Sequence, residues 1–193
     1  MQLGIPSGLQ QMLFSVGIMT MQALVNSYGS DFMAGFSGAN KIDSFAFMPI
    51  QSFATAVTTY VGQNVGARRL DRVKSGTKAG VILSLIFSVG IGFGLYPFGG
   101  FLMRMFNQKV EVIASGEIYL NSVLPFYALL ALMCIFNAVL RGAGEMIVPM
   151  ISSFISLWLS RVPTAYLLAS LCGKEAIYYS YAIGWAIGLL IAW

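Results

Sequence analysis

The chain has 193 residues, of which 58% are hydrophobic and only 9% are charged. An ordinary soluble domain carries roughly 25% charged residues, so this composition excludes a soluble globular fold and indicates a membrane protein. The net charge of +4 does not indicate nucleic-acid binding, because the basic residues fall in short loops between apolar runs rather than along a stripe with stacking aromatics.

The charged residues leave long uncharged stretches, at 1–30, 44–67, 79–103, 118–140 and 176–193. A helix needs about 20 residues to cross a hydrocarbon core about 30 Å thick, and a helix satisfies its backbone polar groups internally. A sixth stretch, 146–173, is long enough but contains Arg161. The sequence therefore predicts an all-α membrane protein, a six-transmembrane-helix bundle, with helices at about 8–28, 44–61, 79–98, 118–140, 147–171 and 176–193.

Both ends of the sequence suggest a part of something longer. The first apolar run follows Met1 without a basic region or a small-residue cleavage site, so we expect no cleaved signal peptide. The last apolar run stops at Trp193 with no flanking charge. We expect residues 1–193 to form a single lobe, truncated at both ends.

The basic residues predict the orientation of the bundle. With six crossings, one side carries Arg68, Arg69, Arg72, Lys74, Lys78 and Arg141, and the other carries Lys41, Arg104, Lys109 and Lys174. Five of the first six lie in one short loop, where positive charge acts most strongly as a cytoplasmic signal. The 63–78 loop is therefore predicted to be cytoplasmic.

Three predicted helices carry polar stripes at helical spacing. The stripes are Gln11, Ser15, Gln22 and Asn26 in the first helix, Ser44, Gln51, Thr55 and Thr58 or Thr59 in the second, and Ser153, Ser156, Ser160 and Thr164 in the fifth. Such residues can join helices by hydrogen bonds of about 0.6 kcal/mol each. Amides facing lipid are costly, however, so the three stripes together also predict a shared wet cavity.

Two further patterns concern helix packing. The small residues Gly80, Ser84, Ser88 and Gly92 follow one another at intervals of four in the third helix, which predicts close contact with a neighbour. Prolines at 49, 125, 149 and 163, with Pro97 at the end of the third helix, predict kinks. A transporter can use such kinks as hinges, and they can equally be features of shape alone.

Two charged residues are candidates for structural or gating roles. Arg161 is predicted to lie within the fifth helix, either bonding carbonyls near Pro163 and nearby hydroxyls or contacting substrate. Asp43 is predicted at the mouth of the second helix, pairing with Lys41, compensating the helix N-terminus or attracting cations. No Asp or Glu is predicted deep inside a span, so a coupling carboxylate is expected elsewhere.

Enzyme chemistry has no basis in the sequence. The chain has two cysteines, no histidine and no CxxC motif, which argues against a metal or dithiol site. It contains no phosphate-binding glycine motif and no Ser/His pair. We expect no cofactor, no catalytic residue and no metal ligand.

Five short motifs, taken together, resemble a known transporter family. They are Leu3-Gly4-Ile5-Pro6, Val25-Asn26-Ser27-Tyr28-Gly29, Ala39-Asn40-Lys41-Ile42-Asp43-Ser44-Phe45-Ala46-Phe47-Met48-Pro49, Val61-Gly62-Gln63-Asn64-Val65-Gly66-Ala67 and Leu140-Arg141-Gly142-Ala143-Gly144. Their order and spacing resemble one lobe of a multidrug and toxic compound extrusion (MATE) transporter, most closely the C-terminal lobe of the bacterial DinF-like branch. The resemblance implies half of a twelve-helix protein with an N-terminal lobe as partner.

The resemblance also implies a function. It implies export of amphiphilic, often cationic xenobiotics through the lipid bilayer, in exchange for H⁺ or Na⁺, by rocking of two lobes around a central cavity. Some branches place a carboxylate in the first helix of this lobe, where this sequence has Phe14 and Ser15. The coupling ion is then expected to bind in the missing lobe.

The stripes and motifs supply the candidate residues. Candidates for the substrate cavity are Gln11, Gln22, Asn26, Asn40, Gln51 and Thr55. Structural or gating candidates are Asp43, Gln63, Asn64, Arg141 and Arg161, with Gln63 and Asn64 expected to shape the loop. Two alternatives stay open: a flippase for lipid-linked oligosaccharides, which calls for a more basic cavity, and a non-transporting membrane scaffold, whose stripes would pack against one another.

Overall fold

The computed structural model describes residues 4–193, with side-chain environments for residue 8 and residues 11–193, so Leu3 of the first motif lies outside the described part. Over these residues the α-helices are α1 (Gly4–Asn26), α2 (Ser30–Gly66), α3 (Leu70–Leu95), α4 (Gly99–Arg104), α5 (Val110–Val123), α6 (Tyr127–Gly142), α7 (Ile147–Phe154), α8 (Val162–Cys172) and α9 (Tyr179–Ala192). Short 3₁₀ turns cover Tyr96–Phe98, Leu124–Phe126 and Lys174–Tyr178, and Ile155–Arg161 is a π-helix.

These elements form six rods, which confirms the predicted six-helix membrane bundle. The rods are α1, α2, α3 with α4, α5 with α6, α7 with α8, and α9. Among the described residues, the helical segments apolar enough to cross a membrane are Leu70–Arg104, Val110–Gly142, Ile147–Cys172 and Lys174–Ala192. Helices α1 and α2, with 23 and 37 residues, are also long enough. Polar residues along α2, such as Gln51 and Thr55, lower the hydropathy of that helix.

The prediction for the start of the second helix was wrong. Helix α2 begins at Ser30 rather than at about residue 44, which places Asp31, Lys41 and Asp43 within the helix. Each charge is accommodated: Asp31 lies in the first turn and its carboxylate is 3.4 Å from the Lys109 amine. The Lys41 amine lies 5.7 Å from the Phe106 ring centre. Charged residues therefore did not mark the helix boundary.

Two other starts were also predicted too late. Helix α3 begins at Leu70 rather than about residue 79, and α5 begins at Val110 rather than about residue 118. The charged residues of these first turns, including Arg72, Lys74 and Glu111, are exposed. Helix α5 carries Glu111 in its first turn, where a negative charge complements the helix dipole.

Prolines interrupt three of the rods. Pro97 and Pro125 lie in the 3₁₀ turns that separate α3 from α4 and α5 from α6. Pro163 follows the π-helix at the start of α8. A proline cannot donate to the preceding turn, so the backbone changes its hydrogen-bond spacing at these points. Pro49 lies inside α2 without ending it.

Aromatic side chains fill the centre of the bundle between α2, α5, α6 and α9. The rings of Phe32 and Phe36 stack on Tyr178, with centres 5.8 and 6.2 Å apart. Tyr119 meets Tyr178 and Tyr181 edge to face at 5.0 and 5.7 Å. Edge-to-face and offset pairs are the favourable arrangements for aromatic rings.

The small residues of α3 pack closely, as predicted. Gly80, Ser84, Ser88 and Gly92 are all buried. A methyl group at Gly92 would lie 2.8 Å from the Leu124 carbonyl oxygen, and one at Gly80 would lie 2.5 Å from Val57. Gly90 and Gly94 have nothing within 4 Å, so this packing involves one face of α3 only.

Candidate functional site

A polar groove runs along the outer face of α2. It is open to the outside and has a volume of about 710 Å³, and its lining residues are Gln51, Ser52, Thr55, Ala56, Thr59, Tyr60 and Gln63. The residues at 51, 55, 59 and 63 recur every four positions, so they form one line on the helix. The groove contains two predicted cavity residues, Gln51 and Thr55, together with Gln63, which was predicted only to shape the loop.

In the groove, side-chain amides are more available to bind a ligand than side-chain hydroxyls are. The Thr55 hydroxyl donates to the Gln51 carbonyl at 2.9 Å, and the Thr59 hydroxyl donates to the Thr55 carbonyl at 3.1 Å. These hydroxyls are thus occupied by their own helix. Among the described residues, the side-chain amides of Gln51 and Gln63 have no partner, so both remain able to bind a ligand.

The other predicted cavity residues lie elsewhere. Gln11, Gln22 and Asn26 are exposed on α1 and do not line this groove. Asn40 is half-buried inside the bundle, where its amide nitrogen donates to the Phe36 carbonyl at 3.0 Å and its amide oxygen accepts from Tyr119 at 3.5 Å. The six candidates therefore do not converge on one site within this chain.

The polar stripe of the fifth predicted helix packs against α9. Ser152 and Ser156 are buried, and their hydroxyls donate to the carbonyls of Gly188 and Gly184 at 2.8 and 2.7 Å. A methyl group at Gly184 would lie 2.9 Å from the Ser156 carbonyl oxygen. Ser156 belongs to the predicted stripe and Ser152 is its neighbour. Thr164 instead bonds the Ser160 carbonyl of its own rod, and the Ser160 hydroxyl has no hydrogen-bond partner among the described residues. The hydrogen-bond interpretation of the stripe therefore holds for Ser156, where small residues on both helices allow the close approach.

Asp43 lies well inside α2, not at its mouth. The helix begins 13 residues before it, and the side chain is half-buried. The Tyr127 hydroxyl donates a hydrogen bond to the Asp43 carboxylate and lies 3.3 Å from the Asp43 carbonyl oxygen. The expectation that Asp43 lies at the mouth of the second helix was therefore wrong, because it depended on a helix start that was placed too late.

Arg161 faces the same region from the end of the π-helix. Its guanidinium carbon lies 3.1 Å from the centre of the Tyr181 ring. The Tyr181 ring in turn meets the ring of Tyr119 edge to face, with centres 5.7 Å apart. The Arg161 Nε is buried and has no hydrogen-bond partner among the described residues. The predicted bond from Arg161 to a carbonyl near Pro163 is not observed: Thr164 instead bonds a nearby carbonyl, that of Ser160, at 2.7 Å. Contact of Arg161 with a substrate stays a prediction.

Together these residues form what we call the Asp43 cluster, which comprises Asp43, Tyr119, Tyr127, Arg161 and Tyr181. The three tyrosines come from α5, α6 and α9, and all are buried. The sequence analysis missed the tyrosines, because aromatic residues in a membrane bundle are mostly packing residues.

The loop motifs shape the ends of α2 and α6. The Asn64 amide donates to the Tyr60 carbonyl at 2.8 Å, and the Asn64 carbonyl accepts from the Arg69 backbone at 2.8 Å. Between them Arg68 adopts φ of 58°. Arg141 is half-buried in the last turn of α6, and its carbonyl accepts from the Gly144 backbone at 3.0 Å. Gln63 differs from these residues, since its side chain lines the groove.

No group of three or more His, Cys, Asp or Glu residues suited to a metal ion occurs in the described part of the chain. The free thiols are Cys134, half-buried, and Cys172, exposed. The Asp43 cluster and the α2 groove are thus the two sites with unusual polar chemistry.

Comparison with known proteins identifies the family. The MatE family model matches residues 6–167. The chain belongs to the MatE family. This confirms the resemblance that the loop motifs indicated.

Named relatives of this MatE chain are similar over nearly all of it. "Probable multidrug resistance protein YpnP" of Bacillus subtilis is 33% identical over 177 residues, which cover 92% of this chain and 40% of the relative. "Probable multidrug resistance protein NorM" of Thermotoga maritima is 29% identical over 193 residues, or 100% of this chain and 39% of the relative. The chain thus spans about 40% of the length of these relatives.

Solved structures show the same fold. The crystal structure of the Vibrio cholerae MATE transporter VcmN in the bent form superposes with a TM-score of 0.92 at 20% identity, covering 99% of this chain and 44% of that one. A MOP superfamily transporter from Pyrococcus furiosus superposes with a TM-score of 0.90 at 18% identity, covering 98% and 43%. The bundle is therefore about half of a MATE transporter fold.

Proposed function

We propose that this chain is one lobe of a secondary active antiporter that exports amphiphilic or cationic organic compounds in exchange for H⁺ or Na⁺. Membership of the MatE family supports transport, and the relatives named as multidrug resistance proteins support this substrate class. The observation that carries the proposal is the open, uncharged polar groove on α2.

The groove suits an organic cation. The Gln51 and Gln63 amide oxygens can accept hydrogen bonds or face a positive charge, and the Tyr60 ring can bind a cation through its π-face. No carboxylate lines the groove, so binding would be weak enough to allow release. The groove is open along one side, and we propose that the N-terminal lobe supplies the opposing wall.

The basic loop sets the proposed orientation. Five exposed basic residues follow the end of α2 that carries the groove. They are Arg68, Arg69, Arg72, Lys74 and Lys78. By the positive-inside rule this end faces the bacterial cytoplasm. The groove then collects its substrate from the cytoplasmic side of the inner membrane, as an exporter requires.

The alternative functions fit the groove less well. A flippase for lipid-linked oligosaccharides calls for basic residues at the cavity, and no Lys or Arg lines the α2 groove. A scaffold calls for polar stripes that pack against one another. Ser156 bonds the Gly184 backbone of α9 rather than a second polar stripe, and Gln51 and Thr55 stay exposed.

The test measures export of a fluorescent organic cation from proteoliposomes that contain the full-length protein. Export is expected under an inward H⁺ or Na⁺ gradient and not without a gradient. Gln51→Ala should weaken the apparent affinity about 2- to 10-fold, since a hydrogen bond contributes about 0.5–1.5 kcal/mol. Ser170→Ala is the matched control, because Ser170 is exposed and bonds its own helix. Gradient-independent movement, or equal affinity in both variants, would contradict the proposal.

A further inference from the structure

The Asp43 carboxylate lies at a depth along α2 where ionisable groups are rare in membrane proteins. Helix α2 has 37 residues, or about 55 Å, and Asp43 lies about 20 Å from its start. A hydrocarbon core of about 30 Å centred on this helix would include Asp43. Carboxylates at such depth are costly, and they usually mark proton relays or ion pathways.

The partners of Asp43 are hydroxyl groups and one more distant cation. Ion pairs in the described part of the chain join Arg69 to Asp71 and Lys109 to Asp31, and neither involves Asp43. Its hydrogen bond comes from Tyr127 on α6. Lys41, two residues away on the same helix, is exposed over Phe106 and does not face the carboxylate.

Each element packed around Asp43 contributes one titratable or charged group. These groups are Tyr127 from α6, Tyr119 from α5, Tyr181 from α9 and Arg161 from the π-helix. Arg161 attracts the ionised carboxylate, and the Tyr127 hydroxyl donates to it. A hydroxyl can also accept a hydrogen bond, so Tyr127 can serve as the partner of a protonated Asp43 as well.

This double capacity distinguishes the cluster from a fixed salt bridge. A lysine or arginine in direct contact would stabilise the ionised carboxylate only, whereas Tyr127 can partner both protonation states. Arg161 places a positive charge in the cluster, and this charge opposes the binding of any cation to Asp43. Tyr127 can also partner the neutral acid, so the hydrogen bonding favours a proton over Na⁺ as the ligand.

We propose that Asp43 is a proton-binding site within this lobe, additional to a coupling carboxylate in the N-terminal lobe. A proton that binds Asp43 removes its attraction to Arg161, and release of the proton restores it. Because Asp43 lies on α2 and Arg161 on the rod of α7 and α8, protonation changes the force between two rods. Its consequence for export depends on the proposed antiport function, whereas the protonation itself does not.

The experiment detects the proton directly. Infrared difference spectra between acid and alkaline pH, recorded on the full-length protein in lipid, should contain the carbonyl band of a protonated carboxylic acid. This band should shift in D₂O and should be lost in Asp43→Asn. Asp31→Asn is the matched control, because Asp31 is paired with Lys109 at the end of the same helix. It should leave the band in place.

A second variant covers the case in which Asp43→Asn does not fold. Tyr127→Phe keeps the ring but removes its hydroxyl, whose bond to the ionised carboxylate is about twice as strong as a bond to the neutral acid. The band should therefore appear at a higher pH than in the unmodified protein. A band that survives Asp43→Asn in folded protein overturns the inference. So does a Tyr127→Phe spectrum with an unchanged pH midpoint, or an Asp43-dependent change produced by Na⁺ at constant pH.

The proposed antiport function and the proposed proton site can be refuted independently of each other. A protein that shows the Asp43 band but no gradient-driven export contradicts the antiport function and leaves the proton site in place. A protein that exports an organic cation but lacks the band retains its function and refutes the proton site.

Discussion

Gly142 lies directly against the backbone of Thr58. A methyl group on Gly142 would be 2.6 Å from the Thr58 carbonyl oxygen and 2.8 Å from the Val61 Cβ. The Thr58 hydroxyl in turn donates to the Ala138 carbonyl at 3.1 Å, one turn earlier on α6. The Arg141-Gly142 motif and the second half of α2 thus form one contact, at the end of the bundle that carries the groove.

Gly142→Ala is therefore expected to destabilise the protein. The neighbouring backbone carbonyl cannot move aside as a flexible side chain can, so overpacking should lower the free energy of unfolding by about 1–3 kcal/mol. Thermal unfolding in detergent measures the loss. Gly90→Ala is the control, since nothing lies within 4 Å of Gly90. It should leave stability unchanged or raise it by up to about 1 kcal/mol. Equal losses in both variants would contradict the contact.

Gly184→Ala should also destabilise the protein, at the junction between the π-helix and α9. The added methyl group would lie 2.9 Å from the Ser156 carbonyl oxygen. We expect a loss of about 1–3 kcal/mol. Ser156→Ala, which removes only a hydrogen bond to Gly184, should lose about 0.6 kcal/mol. Both are measured by thermal unfolding. A larger loss for Ser156→Ala than for Gly184→Ala would refute the close packing.

The number of rods could be predicted from the sequence because hydropathy and length decide which segments cross a membrane. The helix starts could not. A charged residue marks a helix boundary reliably only where its side chain would otherwise face lipid. Three charged residues of α2 have other environments. Asp31 pairs with Lys109, Lys41 lies over Phe106, and Asp43 is held inside the bundle by Tyr127. These partners are distant in sequence, so composition does not reveal them.

Gly144→Ala tests the turn that follows α6. Gly144 has φ of +89°, a conformation that side chains rarely adopt. The turn is closed by the Glu145 backbone, which donates to the Leu140 carbonyl at 2.9 Å. Alanine should lower stability by about 1–2 kcal/mol. Gly144→Asn should lose less, because asparagine tolerates positive φ. Thermal unfolding of the two variants gives the comparison, and a loss from Asn as large as that from Ala would refute strain as the cause.

The candidate site was predictable only in part. A period of four in α2 was enough to identify Gln51 and Thr55, because one helix face is a local property of the sequence. The Asp43 cluster combines residues from α2, α5, α6, α9 and the π-helix, and only the folded bundle brings them together. The same limit explains why Asn40 was assigned to a cavity: its position on the helix was readable, but its bond to Tyr119 was not.

The contact between Arg161 and Tyr181 can be measured by a double-mutant cycle. Arg161→Met keeps much of the side-chain volume without the charge, and Tyr181→Leu removes the ring. Since the guanidinium carbon lies 3.1 Å from the ring centre and Tyr181 is buried, we expect a coupling energy of about 1–2 kcal/mol in thermal unfolding. Tyr181→Phe keeps the ring and should keep most of the coupling. The control cycle combines Arg161→Met with Tyr166→Leu, because Tyr166 is exposed, and it should show no coupling energy. Equal coupling at Tyr166 and Tyr181, or none at Tyr181, would mean that Arg161 is held by the bundle in general rather than by this ring.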